Sequence, residues 1–217
     1  VDLNKLIHPD DLDYFKNLVK DYKKKEIKSR KDVDLRMKHK ADYYVWVTAY
    51  AVYHELDHND SITIFNIRDI SKRKAAELEI KKLSTAVLQN PATIVITDLD
   101  GNIEFVNPKF SEITGYSNEE AIGKKPSVLK SDYHTTDFHK ELWETITSGK
   151  VWKGEFYNKR KDGTHYWENA VIAPILNERD ETINYVAIKK DITEKKEAEF
   201  KLQEALETKN KFFSIIA

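Results

Sequence analysis

No cysteine occurs anywhere in the 217 residues. Disulfides, thiolate metal sites, cysteine nucleophiles and flavin–cysteinyl adducts go with it. The absence fits a reducing compartment, and the chain reads as cytoplasmic. Long apolar runs are also missing. Nothing approaches the roughly 18 apolar residues of a membrane span, and no signal peptide opens the chain. A dominant charge is missing too: 36 Lys and Arg face 37 Asp and Glu, for a formal net charge of −1. No global field favours nucleic acid or an anionic membrane, and neither is expected as a partner.

Recognisable catalytic constellations are lacking. There is no P-loop-like glycine motif and no serine in a nucleophile-elbow context. One pattern, H-E-x-x-H at His54, Glu55 and His58, matches zinc hydrolases. That chemistry needs a helix, where residues i and i+4 share a face about 6 Å apart. The stretch instead runs from a β segment into a polar turn, where the two histidines would stand about 13 Å apart. We expect no metal site and no catalytic residues.

What is present is a globular composition, 40% hydrophobic and 11% aromatic, enough for one or two domains with a core. An internal repeat organises it. Residues 40–46 (KADYYVW) match 161–167 (KDGTHYW) at an offset of 121, and residues 69–74 (DISKRK) match 191–196 (DITEKK) at 122. Leu35 also pairs with Phe156 at 121. Nothing before residue 1 can match residues 91–125, so the first copy is expected to lack its front half. It should then leave a sheet face uncovered and be ordered by the following helix, the second domain or another chain. The start at Val1 and the apolar end at 212–217 read as cuts from something longer.

The second copy reads as two strands (93–97 and 103–106) about the Asp100 and Gly101 turn, then short helices, a longer helix over 135–148, and strands at 151–158, 166–174 and 183–188. Asn107 and Pro108 open the first short helix, with Asn107 expected as its cap. The order ββαααβββ excludes a doubly wound sheet. It predicts an α+β fold with a five-stranded antiparallel sheet and helices on one face. Residues 72–88 and 193–216 contain no Gly or Pro and read as helices. Ala76, Ile80, Leu83 and Val87 recur at coiled-coil spacing, as do Ala198, Leu202, Ala205, Lys209, Phe212 and Ile216. The neighbouring Lys72 to Lys74 and Lys195 with Lys196 read as solvated faces.

Residues 96–107 (ITDLDGNIEFVN), 110–116 (FSEITGY) and 158–163 (NKRKDG) resemble the PAS superfamily of sensory domains. Asp191, Ile192 and Thr193 resemble that family's junction to a signalling helix, as do Asp69, Ile70 and Ser71 in the first copy. The resemblance implies the C-terminal part of one PAS domain over 1–71, a connector helix over 72–88, a complete PAS domain over 89–193, and a signalling helix over 194–217. Residues 211–217 (KFFSIIA) are similar to the start of the dimerisation and phosphoacceptor helix of sensor histidine kinases. This implies a two-component signalling parent, with a kinase domain and a response regulator downstream. The expected assembly is a homodimer paired through helices 72–88 and 194–216.

The family's pocket lies between sheet and helices, and the reading there is an unidentified small organic ligand or no ligand at all. FAD is the alternative. Redox-sensing flavin members carry a Trp on the long helix and an Asn before an Arg-Lys pair, and Trp143 and Asn158 match those positions. Pro126 and the pair Lys130 and Ser131 depart from the residues those members have nearby. Haem is disfavoured, because Phe138 holds the place of the axial His and His139 is turned about 100° away.

Overall fold

Two units divide the chain, Val1–Leu83 and Ser84–Ala217. The computed structural model describes residues 3–23, 32–55 and 61–216. In the first unit, helix α1 (Pro9–Lys23) starts on a proline, whose missing N–H is not needed there, and carries Asp10 and Asp11 in its positive first turn. Strands β1 (Val33–Lys38), β2 (Tyr44–Glu55) and β3 (Ser61–Asp69) form an antiparallel sheet in that order. Leu35 faces Val47 and Val33 faces Ala49, so the period of two puts these four on one face. That face is buried with Ile7 and with Phe15 of α1. Arg36 on β1 fixes the start of α1, with its guanidinium 2.7 Å from Asp11 Oδ1.

The expected uncovered face is present. Helix α1 covers one face of the sheet and supplies its core. Ile64, on the opposite face, is exposed. His54 and Glu55 close β2, where His54 pairs with Ile62. This part of the motif is strand and not the helix that the zinc pattern requires. Residues 56–58, His58 among them, lie outside the described residues.

The second unit contains β4 (Thr93–Thr97), β5 (Ile103–Val106), α3 (Pro108–Thr114), α4 (Asn118–Ala121), a 3₁₀ turn at Pro126–Leu129, α5 (Thr136–Thr147), β6 (Trp152–Lys159), β7 (His165–Leu176) and β8 (Thr182–Asp191). The five strands lie in the order β5-β4-β8-β7-β6, antiparallel throughout. The expected architecture is present. Gly101 turns the β4–β5 hairpin at φ +82°, a conformation that costs glycine little. Ser117 caps α4 in a reciprocal capping box with Glu120. Val95, Ile103, Val106, Phe110, Ala121 and Leu129 form one buried cluster; Leu142, Ile146, Trp152, Phe156, Ala170 and Tyr185 form another.

Helices α2 (Ser71–Leu88) and α6 (Thr193–Ile216) follow the two sheets. α2 buries no residue, and Ile80, Leu83 and, on α6, Leu202 are all exposed. These are seam positions of the expected coiled coil. No helix among the described residues is long and apolar enough to cross a membrane.

Asn107 behaves differently from the expectation. Its side chain makes no cap to α3. Its Oδ1 accepts the Ile94 N–H at 2.9 Å, and its amide donates to Ala92 O at 2.9 Å and Val87 O at 3.3 Å. The competing demand was the end of α2 and the start of β4, whose orphan backbone groups this buried amide satisfies. Asn107→Ala should therefore destabilise the second unit by about 1–3 kcal/mol, because it leaves these groups unpaired. Urea unfolding measures it, and an unchanged midpoint would rule the role out.

Candidate functional site

Between the sheet and the helices of the second unit lies a cavity of about 320 Å³, within the range of small-molecule sites. Its inner wall is built by alternation. Phe156 and Asn158 point inward from β6, Ile172 from β7, and Tyr185, Ala187 and Lys189 from β8. Helix α5 contributes Leu142 and Ile146 from its apolar stripe, together with His139 and Trp143. Trp143 is 39% exposed and stands at the mouth, edge-on to Tyr185 with centroids 6.0 Å apart. A Cβ on Gly101 would come within 2.9 Å of the Trp143 ring, so glycine also makes room for the indole. Trp143 and Asn158, the sequence-derived candidates, thus line one cavity.

Asn158 is not free there. Its amide donates to Glu168 Oε1 at 2.8 Å, and Lys189 Nζ meets the same oxygen at 2.6 Å. Both charged side chains are almost wholly buried. Lys189 also lies 5.0 Å from the Phe156 ring centroid. Beside them the Tyr166 hydroxyl is buried without a hydrogen-bond partner. Burial pushes its pKa up, and the Glu168 charge adds to the effect. The Lys189–Glu168 pair escaped the sequence reading. Its signal was available, since each residue adjoins apolar inward neighbours, Tyr185 and Ala187 before Lys189 on β8 and Ala170 and Ile172 after Glu168 on β7.

Two imidazoles adjoin the aromatic cluster. His134 Nε2 accepts the Tyr157 N–H at 2.9 Å, and the ring stacks on Phe138 with centroids 4.1 Å apart. His139 lines the cavity, and its buried Nε2 has no partner. Burial lowers the pKa of both; the other imidazole adds to this at His134 and Lys130 adds to it at His139.

The second constellation is the exit from the sheet. Ile192 donates its N–H to Trp167 O at 2.9 Å, while the Trp167 N–H donates to Thr193 Oγ1 at 3.0 Å. Asp191 Oδ1 accepts from the Thr193 N–H at 2.8 Å and from its hydroxyl at 2.6 Å. Arg160 meets Asp191 Oδ2 at 3.0 Å, donates to Ile113 O at 2.8 Å and lies over the Tyr166 ring. One guanidinium thereby joins α3, the sheet and the base of α6. The first unit repeats the backbone part: Ile70 N donates to Trp46 O at 2.9 Å, Trp46 N to Ser71 Oγ at 3.2 Å, and Ser71 N to Asp69 Oδ1 at 2.8 Å. His39 stands at the place of Arg160.

A further repeated contact was missed. Lys196 pairs with Glu155 at 2.7 Å and lies 5.3 Å from the Trp167 ring centroid. Lys74 pairs with Asp34 at 2.8 Å and lies 5.2 Å from that of Trp46. The acid partners hold both lysines above the usual lysine pKa. These lysines are therefore not plain solvated faces. Each clamps the first turn of a helix to a strand and a tryptophan.

Lys189→Met should cost about 3–5 kcal/mol, because it strands the Glu168 carboxylate in the interior. The double variant Lys189→Met with Glu168→Gln should recover most of that loss in urea unfolding. Equal losses in the single and double variants would contradict this account of the pair.

Comparison with known proteins agrees with this architecture. A family model described as PAS domain matches residues 91–194, and one described as PAS fold matches residues 1–66. The nitrogen fixation regulatory protein of Klebsiella oxytoca is 34% identical over 109 residues, which are 50% of this chain and 22% of that protein. The hybrid signal transduction histidine kinase L of Dictyostelium discoideum is 28% identical over 127 residues, 58% of this chain and 7% of that protein. The chain thus spans under a quarter of the length of either relative. A solved RNA-binding light-oxygen-voltage receptor shares the fold at 13% identity, with a TM-score of 0.55 over 95% of this chain and 89% of its own. Two family matches, the antiparallel sheet and the repeated sheet-to-helix exit converge: residues 91–194 and 1–66 are regions of the PAS family.

Proposed function

We propose that the chain senses a small ligand in the cavity of its second unit and passes the signal through α6, paired with a second copy, to a histidine kinase output. The observation that carries this reading is strand β8. Tyr185, Ala187 and Lys189 line the cavity from it, and Asp191 at its end receives Thr193 of α6 and Arg160. A ligand that moves β8 therefore bears directly on the first turn of α6. Exposed Leu202 on α6 and exposed Ile80 and Leu83 on α2 lie at coiled-coil spacing and supply the pairing faces. In this reading the C-terminal part of a first PAS domain spans 1–71, a connector helix 72–88, a complete second PAS domain 89–193 and a signalling helix 194–217. A kinase output, with its response regulator, draws support from the matching Dictyostelium kinase and from the likeness of residues 211–217 to a dimerisation helix. The coupling required is of the usual size, about 1–3 kcal/mol.

FAD is the second reading, favoured because Trp143 and Asn158 line the same cavity. An indole can wall off a flavin ring and an amide can bond its polar edge. Against it, the Asn158 amide is already engaged by Glu168.

Because the chain has no native cysteine, Leu202→Cys introduces a single reporter thiol. We expect it to form an interchain disulfide under mild oxidation. Filling the cavity with Ala187→Phe should change that rate, and adding Asp191→Ala should abolish the change. No interchain disulfide, or equal rates in all three backgrounds, would overturn the proposal.

A further inference from the structure

The cavity of the second unit is lined by charge of one sign. Lys125, Lys130, Lys189 and His139 are its titratable basic groups, and no Asp or Glu is among the described residues lining it. We propose that its ligand is an amphipathic organic acid, with an apolar ring or chain seated against Leu142, Ile146, Phe156 and Tyr185 and a carboxylate held at the mouth by Lys125 and Lys130. This rests on the sensory reading above and adds the chemistry of the ligand.

Exposure separates floor from mouth. Leu142, Ile146, Phe156 and Tyr185 are buried, whereas Lys125 and Lys130 are exposed. On the floor the Lys189 charge is matched by Glu168 at 2.6 Å, so an apolar body can settle there without stripping water from an unpaired ion. At the mouth neither Lys125 nor Lys130 has an ion-pair partner among the described residues. Their field, backed by a low-dielectric cavity, attracts an anion and repels a cation. A neutral ligand gains nothing from it. His139 supplies the independent observation. Its Nε2 is buried at the cavity and unpartnered, a costly condition that an oxygen of the ligand would relieve. The volume, about 320 Å³, suits a single ring with a short acidic arm better than a large cofactor, since small-molecule sites extend to roughly 1,000 Å³.

Calorimetric titration of the 217-residue chain at low salt with phenylacetate, phenylacetamide and phenethylamine tests the inference. Phenylacetate should bind about tenfold tighter than the amide, with no detectable binding of the amine. Added salt should erode the preference. Lys125→Gln with Lys130→Gln should bring acid and amide to within about twofold. Equal binding of acid and amide by the unaltered chain, binding of none of the three, or purification with a visible flavin band would each overturn it. The cavity-filling Ala187→Phe variant needs no ligand. If it leaves α6 cross-linking unchanged while the acid preference holds, the sensory reading fails and the ligand chemistry stands. The reverse pair of results fails the ligand chemistry alone.

Discussion

The exit from the second sheet into α6 depends on the backbone of Trp167. Its carbonyl takes the Ile192 N–H, and its own N–H goes to the Thr193 hydroxyl. Ile192 and Thr193 lie where a strand becomes a helix, a point at which backbone groups ordinarily lose their partners. Anchoring them to β7 makes the first turn of α6 an extension of the sheet. Asp191 finishes the arrangement, since one carboxylate oxygen closes on Thr193 and the other on Arg160. Trp46, Ile70 and Ser71 repeat the backbone part in the first unit. There the place of Arg160 is taken by His39, and a different guanidinium, that of Arg73 on α2, reaches Asp34 of β1 at 2.9 Å.

The cavity is joined to this exit by the alternation of a single strand. Along β8, Tyr185, Ala187 and Lys189 turn inward to the cavity, and the next inward position is Asp191. A strand transmits a displacement along its length better than a loop would, because each residue is held by ladders on both sides; β8 pairs with β4 and with β7. Lys189 lies near the end of β8 and Glu168 near the start of β7, where the two strands pair. An ion pair so deeply buried is poor evidence for added stability. The clamp of Lys196 on Glu155 and Trp167 then ties α6 to β6 as well, so three parts of the unit converge on one helical turn.

Much of this was legible in the sequence. Alternation and turn residues carried the five strands, and the order of elements excluded a parallel sheet. The repeat placed both exits at Asp69 to Ser71 and at Asp191 to Thr193. What escaped were side chains whose partners lie far along the chain. Asn107 looked like a helix cap, because local spacing suggests one; its true partners at Val87, Ala92 and Ile94 become visible only when α2 meets β4. Lys74 and Lys196 looked solvated because charge runs usually are, and only the sheet brings Asp34 and Glu155 beneath them. In the first copy the apolar stripe of Leu12, Phe15, Leu18 and Val19 on α1 covers one face of the sheet, and Ile64 on the other face stays exposed.

The central claim is that the start of α6 belongs to the cooperative unit of the second sheet. Native-state hydrogen exchange of the Ile192 amide addresses it most directly, because that proton is spent on Trp167 O. The account predicts protection matching the central pairs of β7 and β8, far above that of exposed α6 residues 201–210. An Ile192 amide that exchanges together with residues 201–210 would show the helix to be merely attached to the sheet, and the account would fail.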